Sequence, residues 1–409
     1  MKIAFTTLGC KLNYAETSTY ERGFRAAGLE VVSWRSQADL YLVNTCSVTA
    51  TADQKSRSLI RKLHRVNPSA KIVVTGCSAE LRRTEISGIE GVWKVFGCKE
   101  KTRVVPECLK GLGLACEDVP EDAVFGAYST GERTRSFLKV QDGCDNYCKY
   151  CTVPYARGGS RNLPVCECVR MAAEIAAQGV KEIVLTGVNT GDFGRSTGES
   201  FLSLLQALNA VEGIERYRIS SIEPNLLSPE IIDWIASGTK FQPHFHIPLQ
   251  TGSDTLLSTM GRHYDTAFFA EKLAYIRKVM GGGVFFGIDV MVGLPGETPE
   301  LFEETVAFLK RIRPAFIHVF PYSRRPGTPA ASMQGQVDEE EKKRRVAVLE
   351  ELCAQLHEEF VASQKGTRVK VLFESKEKDG TMGGYSGNYI RVTRPFDPAL
   401  SGRIVEVEL

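Results

Sequence analysis

The stretch Cys144-Asp145-Asn146-Tyr147-Cys148-Lys149-Tyr150-Cys151 packs three cysteines into one short polar loop. Thiolates so close together can reach several corners of one small iron–sulfur cube. Three ligands leave one iron without a protein partner. An open coordination position suits a chemical role, whereas a closed four-cysteine site suits storage or electron transfer. Gly143, Asp145 and Asn146 make the loop too polar for three packed core cysteines. Zinc is the competing reading, although structural zinc normally takes four ligands. Strand candidates recur around this loop with helices between them: Phe137–Val140, Glu182–Thr186, Tyr217–Ser220, His244–Pro248, Phe285–Val292 and Phe316–Phe320. Six such βα units predict an open or partial barrel over residues 134–335, with its site at the carboxyl ends of the strands.

Upstream, residues 1–125 alternate short buried strands (Lys2–Phe5, Leu40–Asn44, Lys71–Thr75) with helical patterns (Ala15–Ala27, Thr51–Val66). This is the pattern of a parallel sheet with helices on both faces, whose ligands gather at the strand carboxyl ends. Cys10, Cys46 and Cys77 each fall just past a strand, so they converge on one sheet edge as a second three-cysteine site with an open iron. Residues 120–133, with Pro120, Gly126 and Gly131, read as a linker. Residues 338–364 form one long charged helix with an apolar stripe. In residues 365–409, Val369–Phe373, Tyr389–Val392 and Arg403–Val407 alternate between glycine turns, as in a small antiparallel β-barrel. The fold class is therefore α/β, followed by a β appendage.

The chain has 409 residues, with 43% hydrophobic, 24% charged and a net charge of +2. Such a composition excludes a disordered chain, and any nucleic-acid surface must be a local patch. No apolar run approaches the roughly 20 residues of a membrane span, and no secretory signal is evident. A cytoplasmic location follows as the expectation, with the twelve cysteines kept reduced and clustered for metal or catalysis. Cys353 reads as core. Cys166 and Cys168 read as incidental, and Cys98, Cys108 and Cys116 as structural.

The C-x3-C-x2-C spacing at Cys144 resembles the signature of the radical S-adenosylmethionine superfamily. With the three dispersed cysteines and the order of regions, the whole chain resembles the methylthiotransferases. Thr7-Leu-Gly-Cys-Lys-Leu-Asn-Tyr-Ala-Glu-Thr17 and Gly384-Tyr-Ser-Gly-Asn-Tyr-Ile390 resemble the branch acting on threonylcarbamoyladenosine beside the tRNA anticodon. The resemblance implies two 4Fe-4S clusters, a tail of the RNA-binding TRAM type, and two uses of S-adenosylmethionine. One molecule donates a methyl group to sulfur on the auxiliary cluster at Cys10, Cys46 and Cys77. Another is cleaved at Cys144, Cys148 and Cys151 to a radical that attacks C2 of the adenine. It further implies tRNA, an external electron donor and a sulfur source as partners. The alternatives are isopentenyladenosine tRNA, a ribosomal protein as substrate, or a non-enzymatic iron–sulfur RNA-binding protein.

Further candidates lie at the strand ends. Gly187 and Asn189 follow the second barrel strand, where glycine lets backbone approach a ligand; the alternative is a plain turn. Glu223 could accept from the cofactor's amine or ribose, and Gln250 and Ser253 are placed for ribose contacts. Glu297 sits in a segment that resembles the adenine lining, or simply opens a helix. Arg157 and Arg161, just past the triad, are candidates for phosphate or cofactor contact. Lys55, Arg57, Arg61, Lys62 and Arg65 form a basic helical face suited to phosphates, unless merely solvated. Tyr385 and Tyr389 could stack on unpaired bases or pack within the tail. The loop Tyr322–Thr328 is a candidate to close the site over substrate.

Overall fold

The computed structural model describes residues 1–115, 124–131 and 133–409, with the side chains of 376 and 377 left aside. Cys116 and part of the expected linker lie outside the described residues.

Five parallel strands open the chain: β1 (Lys2–Thr7), β2 (Glu30–Val32), β3 (Leu40–Thr45), β4 (Lys71–Gly76) and β5 (Val92–Val95), in the order β2-β1-β3-β4-β5. Central β3 is buried along its whole length, as a strand covered on both faces must be. Helix α1 (Lys11–Ala26) buries Tyr20 and Phe24 on one face, and α2 (Ala50–Val66) buries Ile60 and Leu63 on the other. Helix α1 begins directly after Cys10, four residues earlier than the apolar periodicity indicates. Its first turn is instead held by buried polar contacts. The edge strands β2 and β5 are short and half-buried, which left them too weakly patterned to read.

Next come β6 (Ala127–Tyr128), β7 (Arg135–Lys139), the short ribbon β8 (Gln141–Asp142) with β9 (Arg161–Asn162), β10 (Glu182–Thr186), β11 (Arg216–Ile219), β12 (His244–His246), β13 (Phe285–Val292) and β14 (Phe316–Pro321). Apart from the β8–β9 ribbon they form two sheets, β11-β10-β7-β6 and β12-β13-β14. A single bridge between Tyr217 and Phe241 spans the break. The six expected strands are all present, and the barrel is open between β7 and β14. The largest apolar core fills the space between these sheets and their helices. The long helix Glu339–Ser363, capped by Asp338 accepting from the Glu341 amide at 2.8 Å, buries Leu349, Leu352, Cys353 and Leu356 against that core.

The tail consists of β15 (Arg368–Lys378), β16 (Thr381–Ser386), β17 (Arg391–Pro395) and β18 (Ile404–Glu408), antiparallel in the order β17-β16-β15-β18. It is the expected antiparallel β appendage, a half-barrel consistent with a TRAM-like fold. Strand β16, rich in glycine, was not legible, and Tyr389 lies in the turn before β17 with φ of 63°. Arg216 and Arg218 fasten this sheet beneath the barrel, donating to the carbonyls of Tyr385, Lys370, Gly387 and Ser386 at 2.6–3.1 Å.

Candidate active site

The radical loop hangs from β8. The Cys144 amide donates to the Gly158 carbonyl at 3.1 Å, and Ser160 donates from its amide to Asp145 at 3.1 Å. Each cysteine sulfur has a donor beside it: the Asn146 amide 3.5 Å from Cys144, the Val153 amide 3.4 Å from Cys151, and the Arg262 guanidinium 3.3 Å from Cys148. Thiolate ligands of iron are tuned by such hydrogen bonds, so the donor set fits a cluster. Burial pushes the Cys144 thiol up to about 11 and the Cys151 thiol to about 12, against the hydrogen bonds that favour the thiolates; a bound metal would offset that burial.

Arg262 was missed from sequence because it stands on a loop far along the chain. It also pairs with Glu223 and donates to the Tyr264 hydroxyl at 2.6 Å. Replacing Arg262 with methionine is expected to lower cluster retention or cofactor cleavage by about 10- to 100-fold, as loss of an outer-shell partner does. Iron analysis and 5′-deoxyadenosine production check it.

The other strand-end candidates gather around this loop. Gly187 approaches Gln141, whose Oε1 would sit 2.9 Å from a Cβ added there. The close approach anticipated for this glycine is therefore made by a side chain of the protein. Gln141, a residue not singled out from sequence, accepts from the Val188 and Asn189 amides at 2.9 and 3.0 Å, and donates to the Gly143 carbonyl and the Ser160 hydroxyl. It ties the turn after β10 to the radical loop. Asn189 accepts from the Glu223 amide at 3.3 Å. Gln250 adopts φ of 74°, a strained conformation for a non-glycine residue, and Ser253 is buried with its hydroxyl unpartnered. A strained glutamine and an orphaned hydroxyl at the strand ends fit a site that a ligand completes. Glu297 is occupied differently. It accepts from Arg345 of the long helix at 2.6 Å and from the Gly293 amide, so it braces that helix.

The second cysteine set stands where β1, β3 and β4 end. A Cβ on Gly9 would lie 2.9 Å from the Cys46 sulfur, and Cys46 feels the charges of both Cys77 and Cys10. Cys10 is exposed and the other two are buried. Cys77, helped by a hydrogen bond from Cys98 and by Arg157, is lowered to about 6. Cys98 thus lies beside this site.

Arg157 joins the two cysteine sites. It is 2% exposed, which removes it from the role of a surface phosphate contact. Its guanidinium donates to Asn13 at 2.7 Å and to Asp142 at 2.7 Å. Asn13 in turn donates to the carbonyls of Leu8 and Thr45, fixing the loops that carry Cys10 and Cys46. Lys101, Lys139 and Glu16 complete a buried ionic cluster, with Lys101 2.6 Å and Lys139 2.9 Å from Glu16. Arg161 is half-buried, 3.2 Å from Asp142. The loop after β14 reaches the first sheet too: Arg325 pairs with Asp53 and donates to Ser47 at 2.8 Å. Lys55, Arg61 and Lys62 are exposed on α2, whereas Arg57 pairs with Glu85 at 3.1 Å. Tyr385 and Tyr389 stack on each other, 4.8 Å between centroids, and line a cavity of about 600 Å³ inside the barrel.

Residues 138–309 match the radical SAM superfamily, and residues 2–98 match a family described only as uncharacterized protein family UPF0004. Along its entire length the chain is 38% identical to the threonylcarbamoyladenosine tRNA methylthiotransferase MtaB of Bacillus subtilis, of which it covers 93%. The chain belongs to this methylthiotransferase family. The enzyme is also 37% identical, over 91% of the chain and 92% of the relative, to the enzyme of the same name from Aquifex aeolicus. It is 34% identical, over 98% and 93%, to a tRNA-2-methylthio-N(6)-dimethylallyladenosine synthase of Geobacter sulfurreducens. In fold, the methylthiotransferase is similar to the radical S-adenosylmethionine methyltransferase TsrM of Kitasatospora setae. The TM-score is 0.59 at 15% identity, over 81% of this chain and 77% of that one. It is thus an S-adenosylmethionine-dependent radical transferase, and none of its described helices is long and apolar enough to cross a membrane.

Proposed function

We infer that the enzyme converts threonylcarbamoyladenosine in tRNA to its 2-methylthio derivative, with one 4Fe-4S cluster on Cys144, Cys148 and Cys151 and a second on Cys10, Cys46 and Cys77. The observation that carries this reading is the full-length similarity to relatives of that name, together with two separate three-cysteine sites joined through Arg157 and Asn13. When bound, the clusters supply reductive cleavage of S-adenosylmethionine and the sulfur to be transferred. The chain's own part is positional. Gln141 and Asn189 hold the turn after β10 against the radical loop, and Glu223 with Arg262 places a carboxylate and a cation beside Cys148. Asn13 and Arg157 hold the auxiliary loops at a set distance from the barrel. The exposed cations of α2 supply tRNA phosphate contacts, which are salt-dependent and sequence-independent. An electron donor and a sulfur source from outside the chain complete the cycle, in the cytoplasm where tRNA is modified.

Nucleoside mass spectrometry of tRNA from a host lacking the activity, with and without this gene, tests the assignment. The expected result is appearance of 2-methylthio-threonylcarbamoyladenosine. Appearance of the methylthio form of dimethylallyladenosine in its place would move the enzyme to the other tRNA branch.

A further inference from the structure

The cavity inside the barrel is walled by Phe137, Phe285 and Phe316 and floored by Tyr385 and Tyr389 of the tail, and five cations border it: Lys11, Arg133, Arg135, Arg218 and Arg391. Its volume suits a modified nucleobase. The charges within it do not balance. Glu182, fully buried, is shared by Arg218 at 2.8 Å, Arg216 at 3.7 Å and Arg135 at 3.9 Å, with Glu374 a further partner of Arg135. Asp289 lies 2.9 Å from His246, whose ring stacks on His318. Lys11 enters through the open side of the barrel and makes no hydrogen bond or ion pair among the described residues, although it feels the charges of Tyr389, Arg135, Arg218 and Asp289. Lys11 is solvent-exposed, yet it lines this cavity beside Arg135, Arg218 and aromatic rings with no carboxylate of its own, which leaves its ammonium open to an anion from outside the chain.

We propose that this cavity is the pocket for the N6 substituent of the target adenosine, and that Lys11 is the counter-ion of the carboxylate that substituent carries. The inference rests on the substrate reading above. A threonylcarbamoyl group brings one carboxylate on a short amide arm. Lys11 follows Cys10 directly, so the anchor and the auxiliary site share one backbone, and seating the carboxylate sets the adenine's distance from that site. An uncharged hydrocarbon substituent would enter the same cavity and leave Lys11 without a partner. Sites built to pair a polar group reject analogues lacking it far more strongly than apolar pockets reject a missing methyl group. Lys11 is therefore a specificity-determining residue, contributed by the first domain to a cavity in the second.

The test uses full-length enzyme and anticodon stem-loop RNAs carrying threonylcarbamoyladenosine or its carboxylate methyl ester. Wild-type enzyme is expected to bind the free acid at least about tenfold tighter than the ester. Lys11→Gln is expected to bind both RNAs as weakly as wild type binds the ester, and Lys11→Arg to keep most of the preference. In wild type, a water-soluble carbodiimide is expected to couple the RNA carboxylate to the Lys11 amine as an amide, located by peptide mass spectrometry. Equal binding of acid and ester by wild type, or coupling only elsewhere, overturns the proposal. Turnover is scored separately on the same RNAs. Methylthiolation of acid and ester alike would overturn the carboxylate anchor and leave the substrate reading standing. A binding preference and Lys11 coupling without any methylthio product would do the reverse.

Discussion

Cys46→Ala is expected to leave S-adenosylmethionine cleavage intact while abolishing methylthio transfer, and Cys148→Ala to abolish both. Cys46 sits at the end of β3, buried between the loops of Cys10 and Cys77. On the proposed assignment, its removal takes one of three ligands from the auxiliary site and touches nothing in the radical loop. Cys148 receives the Arg262 hydrogen bond, and removing it strips the radical site of a ligand and of the group that Arg262 tunes. With the two proposed 4Fe-4S clusters each site contributes about four irons, so Cys46→Ala should hold about half the iron of wild type. 5′-Deoxyadenosine is then formed without a methylthio nucleoside. Loss of both products from Cys46→Ala, in protein that still holds the radical cluster, would show that the sites are not separable in this way.

The second large effect is on stability. Asp142→Asn is expected to destabilise the fold by about 3–5 kcal/mol, the usual result of leaving buried charge uncompensated. Asp142 and Glu16 are the two carboxylates facing Lys101, Lys139 and Arg157 in the cluster between the first sheet and the barrel. Without Asp142, three buried cations share Glu16 alone. The same cluster sets an acid limit. Burial pushes the Glu16 and Asp142 carboxyls up, but the neighbouring cations overcome it and hold both well below the ordinary carboxylate range. Groups depressed in the folded state stabilise it fully above their unfolded values, near pH 4. That stability is lost as pH falls through the lower folded-state values. Thermal unfolding should show wild type weakening steeply below about pH 4, and Asp142→Asn losing part of that slope.

The burial of Arg157 shows why the pattern of the chain was an incomplete guide. Near the triad, Arg157 and Arg161 looked alike: two arginines four residues apart in a polar loop. Only the docking of α1 against that loop buries the first and leaves the second half-exposed, because Asn13 and Glu16 come from the other end of the chain. Tyr385 and Tyr389 make the same point: that they stack on each other and face the cavity depends on Arg216 and Arg218 holding the tail beneath the barrel. Glu297 and Arg345, a strand-end carboxylate and a helix arginine, likewise acquire their meaning only from each other.

Cysteine spacing, strand–helix alternation and the order of regions are local properties written at fixed sequence intervals. They determined by themselves the parallel first sheet, the six-stranded open barrel, the antiparallel tail and the six candidate cluster ligands. The tertiary structure alone decided what lies between those sites: Arg157 and Asn13 linking them, Arg262 on Cys148, Cys98 beside Cys77, and Lys11 entering the barrel. Those arrangements join residues tens to hundreds of positions apart through charge and burial, and neither leaves a period in the sequence.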